Sequence, residues 1–289
     1  MFSSLEELKE SCAERGLPIW KVVQEEDAKE QGITPGEHFA KMAGFYSAMK
    51  LSDENYDSGL KSRSGLVGGE AGKIAGRRAA GGLLCGDFCG MVMEKALRVS
   101  ESNACMKRIV AAPTAGSCGV LPAVLVSYQQ TKNVPDEKMV EALYVAAGIG
   151  GVIASRATLS GAEGGCQAEI GSASAMAAGA LCYLMGGEDT MITHAAAMAL
   201  KSLLGLACDP VAGLVEVPCV KRNVIGAVNA VTASDMACAG IVSRIPPDEV
   251  IDAMKSIGRQ MSPAIKETGT GGLAATPTGR GMAAAMEAV

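Results

Sequence analysis

Ten cysteines, at positions 12, 85, 89, 105, 118, 166, 182, 208, 219 and 238, and two histidines, His38 and His194, are the side chains of this 289-residue sequence best equipped to hold a metal. No Cys-x-x-Cys pair occurs among them, so zinc ribbons, zinc fingers and ferredoxin-type clusters are disfavoured by spacing. Three cysteines differ from the rest in context. Cys166 lies in GAEGGCQAE, Cys208 in LGLACDPVAG and Cys219 in VEVPCVKRN, all Gly- or Pro-flanked irregular spots between helical stretches. Cys105, Cys182 and Cys238 lie inside helix-like segments, as core thiols usually do. From the residues alone two readings stay open: a three-cysteine metal site, or small thiols buried in a packed core.

Other segments offer anion-binding chemistry. AAPTAGSCGVLPAVL places Thr114, Gly116, Ser117 and Gly119 just ahead of an apolar helix. Backbone N–H groups and two hydroxyls there suit a carboxylate or phosphate, although ordinary helix capping accounts for the same residues. Lys61-Ser62-Arg63-Ser64-Gly65 offers cations and turn amides to an anion, and reads equally well as a basic solvated turn. LKSRSGLVGGEAGK is not a P-loop, because Val67 and Ile74 stand where that pattern needs Gly and Ser or Thr. Ala115-Gly116-Ser117-Cys118-Gly119 approaches a hydrolase elbow with Asp189 and His194 following, but its first Gly is Ala and its preceding strand is weak. Gly269-x-Gly271-x-x-Ala274 follows no strand, which favours a tight turn near a ligand or another backbone over a dinucleotide fingerprint.

Helices must position these residues. SSLEELKESCAER opens with a Ser4-x-x-Glu7 capping box and aligns Leu5, Leu8 and Cys12 on one face. Thr34 and Pro35 start a second amphipathic segment, to Met49, with Phe39, Met42, Ala43 and Tyr46 as its stripe. The stretch from Gly59 through RRAAGGLLCG is Gly-rich and reads as a loop or a set of helix ends. Seven further segments, from DFCGMVMEKALRVSESNA to PDEVIDAMKSIGRQM, have helix length, are rich in Ala, Met and Leu, and end near Gly or Pro. GLAATPTGRGMAAAMEAV reads as a loop followed by a short helix. The fold class expected is all-α, a single helical domain, with residues 1–58 as a helical extension and 59–289 as the main unit.

Composition removes several classes of function. A net charge of -5 gives nucleic acid or anionic lipid no broad attraction, and 3% aromatic residues leave no stacking platforms for bases. The apolar stretches 109–131, 142–155 and 170–187 are broken by Pro113 and Pro122, too short for about 30 Å of hydrocarbon, or interrupted by Gly and Ser, so they read as buried helices. The acidic N-terminus lacks the pattern of a secretory leader, which places the cysteines in a reducing, cytoplasmic setting as thiols or ligands.

Five motifs in order, KSRSGLVGGEAGK, APTAGSCGVLPAVL, EGGCQAEIGSASAMAAGAL, LACDPVAGLVEVPCVKRNVIGAVNA and KETGTGGLAA, span about Leu60 to Ala275. Together they resemble the α subunit of the bacterial iron-sulfur L-serine dehydratases. The resemblance implies that Cys166, Cys208 and Cys219, 42 and 11 positions apart, hold a [4Fe-4S] cluster with one open iron. That cofactor takes the place of pyridoxal phosphate in eliminating water from L-serine, which gives pyruvate and ammonia. Gly-rich loops are expected to surround the cluster. The resemblance also places Lys61, Ser62, Ser64, Gly65, Thr114, Gly116 and Ser117 around the substrate. Single-chain members carry a further β domain with a Ser-His-Thr motif, and some a C-terminal cysteine that can occupy the open iron; neither occurs here. A separate β subunit in a hetero-oligomer is therefore implied, with the catalytic base on it and His194 as the internal candidate. Cys118 is either a transient fourth ligand or a small buried residue. The alternatives are an L-cysteine desulfidase of the same superfamily, and a non-catalytic cluster-binding sensor subunit.

Overall fold

Helix starts fall where the sequence writes them. Ser4 Oγ accepts from the Glu7 N–H at 2.9 Å and opens α1, Leu5–Arg15. Glu7 does not close that box on Ser4; its carboxylate instead accepts from the Ser3 N–H and hydroxyl. Thr34 and Glu37 do form the reciprocal box, ahead of Pro35 in α3, Pro35–Glu54. Between them lies α2, Ile19–Gln31. Leu5, Leu8, Cys12 and Tyr46 are buried as the periodicity predicts.

The computed structural model describes residues 2–287, so Ala288 and Val289 of the expected last helix lie outside it. The remaining helices are α4 (Glu70–Ala79), α5 (Gly86–Ala104), α6 (Val120–Lys132), α7 (Asp136–Arg156), the short α8 (Gly161–Gly164), α9 (Ser172–Leu184), α10 (Asp189–Lys201), α11 (Cys219–Cys238), α12 (Pro247–Gln260) and α13 (Pro277–Glu287). Among the described residues there is no strand, and the only bridge of that type joins Cys208 to Lys266. The chain is all-α. EAGKIAGRRA, expected as loop or helix ends, is the helix α4: Gly69 turns the chain at φ +78 and the segment winds regularly from Glu70.

α9 is the axis of the fold. Every residue from Ser172 to Cys182 is buried, and α6, α7, α10 and α11 pack around it. Small residues let the backbones approach. A Cβ at Gly179 would collide with Cδ1 of Ile149 on α7, and one at Gly226 on α11 would stand 2.8 Å from Cγ2 of Ile170. Hydroxyls then bridge the close helices: Ser174 donates to the Gly226 carbonyl at 2.7 Å, and Ser234 to the Ala178 carbonyl at 2.8 Å. The apolar faces of α1, α2 and α3 join the same core, which residues 1–58 therefore share with the rest. One helix, α7, is long and apolar enough to cross a membrane, and 67% of its apolar window is buried inside the fold.

Charge enters this apolar frame at two places. A π-helical turn, Gln167–Gly171, precedes α9 and carries Glu169 outward before the regular helix begins. Elsewhere, α5 carries buried charge: Lys95 pairs with Asp53 of α3, and Glu94 pairs with Arg78 of α4 and Arg98.

Candidate functional site

Three separate stretches deliver the Gly- and Pro-flanked cysteines. Gly165, at φ +77, turns the chain out of α8 and into Cys166, immediately before the π turn. Cys208 lies in extended backbone held by the 265–267 segment: its N–H donates to the Ile265 carbonyl at 2.8 Å, and its carbonyl accepts from the Glu267 N–H at 2.7 Å. Cys219, expected in an irregular stretch, is the first residue of α11, because Pro218 sets the helix start just before it. Their exposures are 3%, 3% and 9%.

The three thiols sense one another. Burial pushes Cys166 up to about 11, with the Arg222 guanidinium opposing and Glu169 adding to the rise. Burial pushes Cys219 up to about 12, reinforced by Cys166 and Glu169. Cys208 is raised furthest, by burial first and then by Cys166, Glu169, Glu267 and Cys219. Among the described residues no three His, Cys, Asp or Glu side chains gather tightly enough to hold a single metal ion. The donor set itself, three thiols, is of the soft kind that holds iron-sulfur clusters.

The motif loops are tied by carboxylates that lie within the motifs themselves, Glu169 in EGGCQAEIGS and Asp209 and Glu216 in LACDPVAGLVEVPC. Glu216 accepts from the hydroxyls of Ser62, at 2.9 Å, and Ser64, and so pins the KSRSG turn to the segment between Cys208 and Cys219. Asp209 accepts from Arg222 at 2.8 Å and from the Leu273 N–H at 2.7 Å, which docks the GTGG turn beside Cys208. Glu169 Oε1 accepts from the Thr114 hydroxyl at 2.7 Å, and its Oε2 stands 3.9 Å from Cys208 Sγ. Asn223 of α11 completes the frame, donating to the carbonyls of Gly116 and Cys219 and accepting from the Gly119 N–H. Glu169 and Glu216 lie three residues after Cys166 and three before Cys219, a proximity that was the signal available in the sequence.

The PTAGS residues meet the cysteine region through Glu169, the KSRSG residues are tied to Glu216, and most of their polar groups are turned onto the protein. Ser117 is fully buried, and its hydroxyl bonds Thr114 Oγ1 at 3.1 Å. Lys61 donates to the Gly68 carbonyl, and Gly65 supplies the left-handed turn of its loop at φ +76. Gly116 is required by proximity, since a Cβ there would stand 2.9 Å from Glu169 Oε1. His194 is elsewhere: its Nδ1 accepts from the Ser243 N–H at 3.3 Å, and burial together with Lys9 and Lys201 lowers its pKa. His38 is held between Gln31 and the Tyr144 hydroxyl under α7. Cys118 is fully buried and raised to about 12 by burial, as a core thiol is.

Residues 14–274 match the family described as serine dehydratase alpha chain. The chain is 47% identical over 280 residues to the probable L-serine dehydratase, alpha chain, of Bacillus subtilis (strain 168), covering 97% of this chain and 93% of that one. It is 41% identical over 281 residues to the L-serine dehydratase, alpha chain, of Peptoniphilus asaccharolyticus, covering 97% and 96%. An L-serine dehydratase of Escherichia coli (strain K12) is 46% identical over 181 residues, which are 62% of this chain and 40% of that protein.

Proposed function

The chain belongs to the serine dehydratase alpha chain family, and on that premise we propose that it is the cluster-bearing subunit of an L-serine ammonia-lyase. The observation that carries the reading is geometric: Cys166, Cys208 and Cys219 are buried thiols, and Glu169, three residues after Cys166, reaches both Cys208 Sγ at 3.9 Å and the Thr114 hydroxyl at 2.7 Å. The three cysteines would hold a [4Fe-4S] cluster. When bound, the cluster supplies an iron without a protein ligand, a Lewis acid suited to the hydroxyl that leaves serine.

The chain's own residues shape the space around the reacting amino acid. The KSRSG turn, with Lys61, Ser62, Ser64 and Gly65, closes one side through Glu216, and the PTAGS turn, with Thr114, Gly116 and Ser117, closes another through Glu169. Ser117 and Ser62 act from behind, by fixing Thr114 and Glu216, because both are buried. The base that takes the α-proton is assigned to a separate β subunit, since His194 and His38 are engaged away from the cysteines. The aminoacrylate released then becomes pyruvate and ammonia. The name alpha chain carried by the Bacillus and Peptoniphilus relatives supports the two-subunit reading.

The test is anaerobic purification with and without a co-expressed β subunit, followed by iron and sulfide analysis and product assays with L-serine, L-threonine and L-cysteine side by side. The reading expects about one cluster per chain and pyruvate from serine only when both subunits are present. Colourless protein after anaerobic reconstitution, or sulfide release from cysteine as the dominant reaction, would overturn it.

A further inference from the structure

Glu169 is the carboxylate that reaches Cys208 Sγ, and its surroundings are arranged around it without supplying a counter-charge. It sits on the π turn, half-buried, with Oε1 held by the Thr114 hydroxyl at 2.7 Å and Oε2 facing Cys208 Sγ at 3.9 Å. Two glycines make room for it. A Cβ at Gly161 would stand 2.6 Å from Oε2, and one at Gly116 would stand 2.9 Å from Oε1. The cations of the neighbouring segments are committed elsewhere: Arg222 to Asp209 and the Ala207 carbonyl, and Lys266 to the Gly258 carbonyl. Among the described residues no Lys, Arg or His forms an ion pair with Glu169, and the charge it senses most from the 265–267 segment is another carboxylate, Glu267.

A carboxylate aimed by a neutral hydroxyl, surrounded by sulfur and by a second carboxylate, is an incomplete ion pair. Its missing partner is a small cation. We propose that Glu169 receives the α-ammonium of the amino-acid substrate and thereby selects 2-amino acids over their 2-hydroxy counterparts. This inference rests on the serine ammonia-lyase reading and adds to it a residue that sets specificity. Chemistry favours the assignment, because an amino acid whose carboxylate and hydroxyl face cationic iron still has its ammonium to satisfy. Thr114 then acts as a positioning residue, holding Oε1 so that Oε2 faces Cys208. A charge-assisted contact of this kind changes affinity by about tenfold or more.

The experiment uses the assembled enzyme with its β subunit, prepared anaerobically, comparing wild type with Glu169→Gln and Thr114→Val. Glutamine keeps the size and the acceptor for Thr114 but removes the charge. Iron content and the visible spectrum are measured first, then kcat and KM for L-serine, and inhibition by glycerate, which has a hydroxyl where serine has its ammonium. The expected result is an unchanged cluster, a KM for L-serine raised at least about tenfold in Glu169→Gln, a smaller rise in Thr114→Val, and glycerate inhibition that is unchanged or tighter in both. Unchanged KM and glycerate inhibition in Glu169→Gln would overturn the inference. So would loss of iron from that variant, which would make the carboxylate part of the metal site, or a collapse of kcat at constant KM, which would make it a proton carrier. If wild type itself fails to turn over serine while holding its cluster, the proposed function fails instead.

Discussion

Thr114 and Glu169 stand 55 positions apart in the chain, yet the hydroxyl of one donates to the carboxylate of the other across 2.7 Å. That contact joins the turn ahead of α6 to the π turn ahead of α9, so two helix starts are registered against each other at the edge of the cysteine site. Asn223 braces the same turn from α11. Small displacements of any one element are therefore transmitted to the others.

The cysteines divide into two sets. Replacing Cys166, Cys208 or Cys219 with Ser should remove the iron and the visible absorption of anaerobically prepared protein, whereas Cys12→Ser, Cys105→Ser and Cys238→Ser should keep both. The measurement is iron per chain alongside the absorption spectrum, with circular dichroism to verify folding. Retention of the full iron complement in Cys208→Ser would remove that residue from the ligand set.

Gly161→Ala places a methyl group 2.6 Å from Glu169 Oε2 and 3.1 Å from Cys208 Sγ. Neither neighbour is a free side-chain end, because Thr114 holds the first and paired backbone holds the second. The variant should fold, with a stability loss of roughly 1–3 kcal/mol from overpacking, and lose most of its activity. Urea denaturation together with serine turnover checks the combination, and near-normal turnover would show that the contact is readily relieved.

Lys95 and Asp53 form a buried ion pair between α5 and α3, with 5% and 2% of their surface exposed. Lys95→Met leaves Asp53 charged in the interior with only Arg98, 3.7 Å from Oδ1, as counter-charge and with Oδ1 lacking a hydrogen-bond partner. The expected loss is about 3–5 kcal/mol. Adding Asp53→Asn should recover part of it, since no unpaired charge then remains. A double mutant no more stable than Lys95→Met would argue that packing, rather than charge, dominates at this position.

Acidity should matter at the interface of α2 and α3. Burial raises the Asp27 carboxyl above its ordinary value of 3.8, against the pull of His38. A carboxyl with a raised folded-state pKa holds its proton more tightly when folded, so its ionised form at neutral pH weakens the fold. That cost disappears as the pH falls through the folded pKa. Asp27→Asn should therefore be more stable than wild type at pH 7, with the difference shrinking as the pH approaches 3.8. Thermal unfolding of the two proteins across that range checks the sign.

The helices were legible in the sequence because their signals are local. Thr34, Pro35 and Glu37 lie within one turn of the helix they start, and the stripe of Leu5, Leu8 and Cys12 needs only neighbouring residues to be read. The helix over Glu70–Ala79 was hidden by its two glycines, which lower intrinsic propensity while packing against α5 outweighs the cost. Context distinguished Cys166, Cys208 and Cys219 from the core thiols. Glu169 and Glu216 lie within the motifs, but their roles were not legible, because what marks these is the partners they hold, 55 and 154 positions away. Nor does sequence show that a serine beside a motif turns its hydroxyl inward, as Ser62 and Ser117 do.

The close approach of α9 to its neighbours gives the chain an asymmetric tolerance of mutation. Every amino acid that a single base change can put in place of glycine is larger, and at Gly179, Gly150 and Gly226 the added atoms would meet Ile149, Met176 and Ile170. Alanines such as Ala173, Ala177 and Ala180 are fully buried and have only one methyl group to lose. Damage to the centre of this protein therefore comes chiefly from added bulk at the glycine and alanine positions where α9 meets α7 and α11.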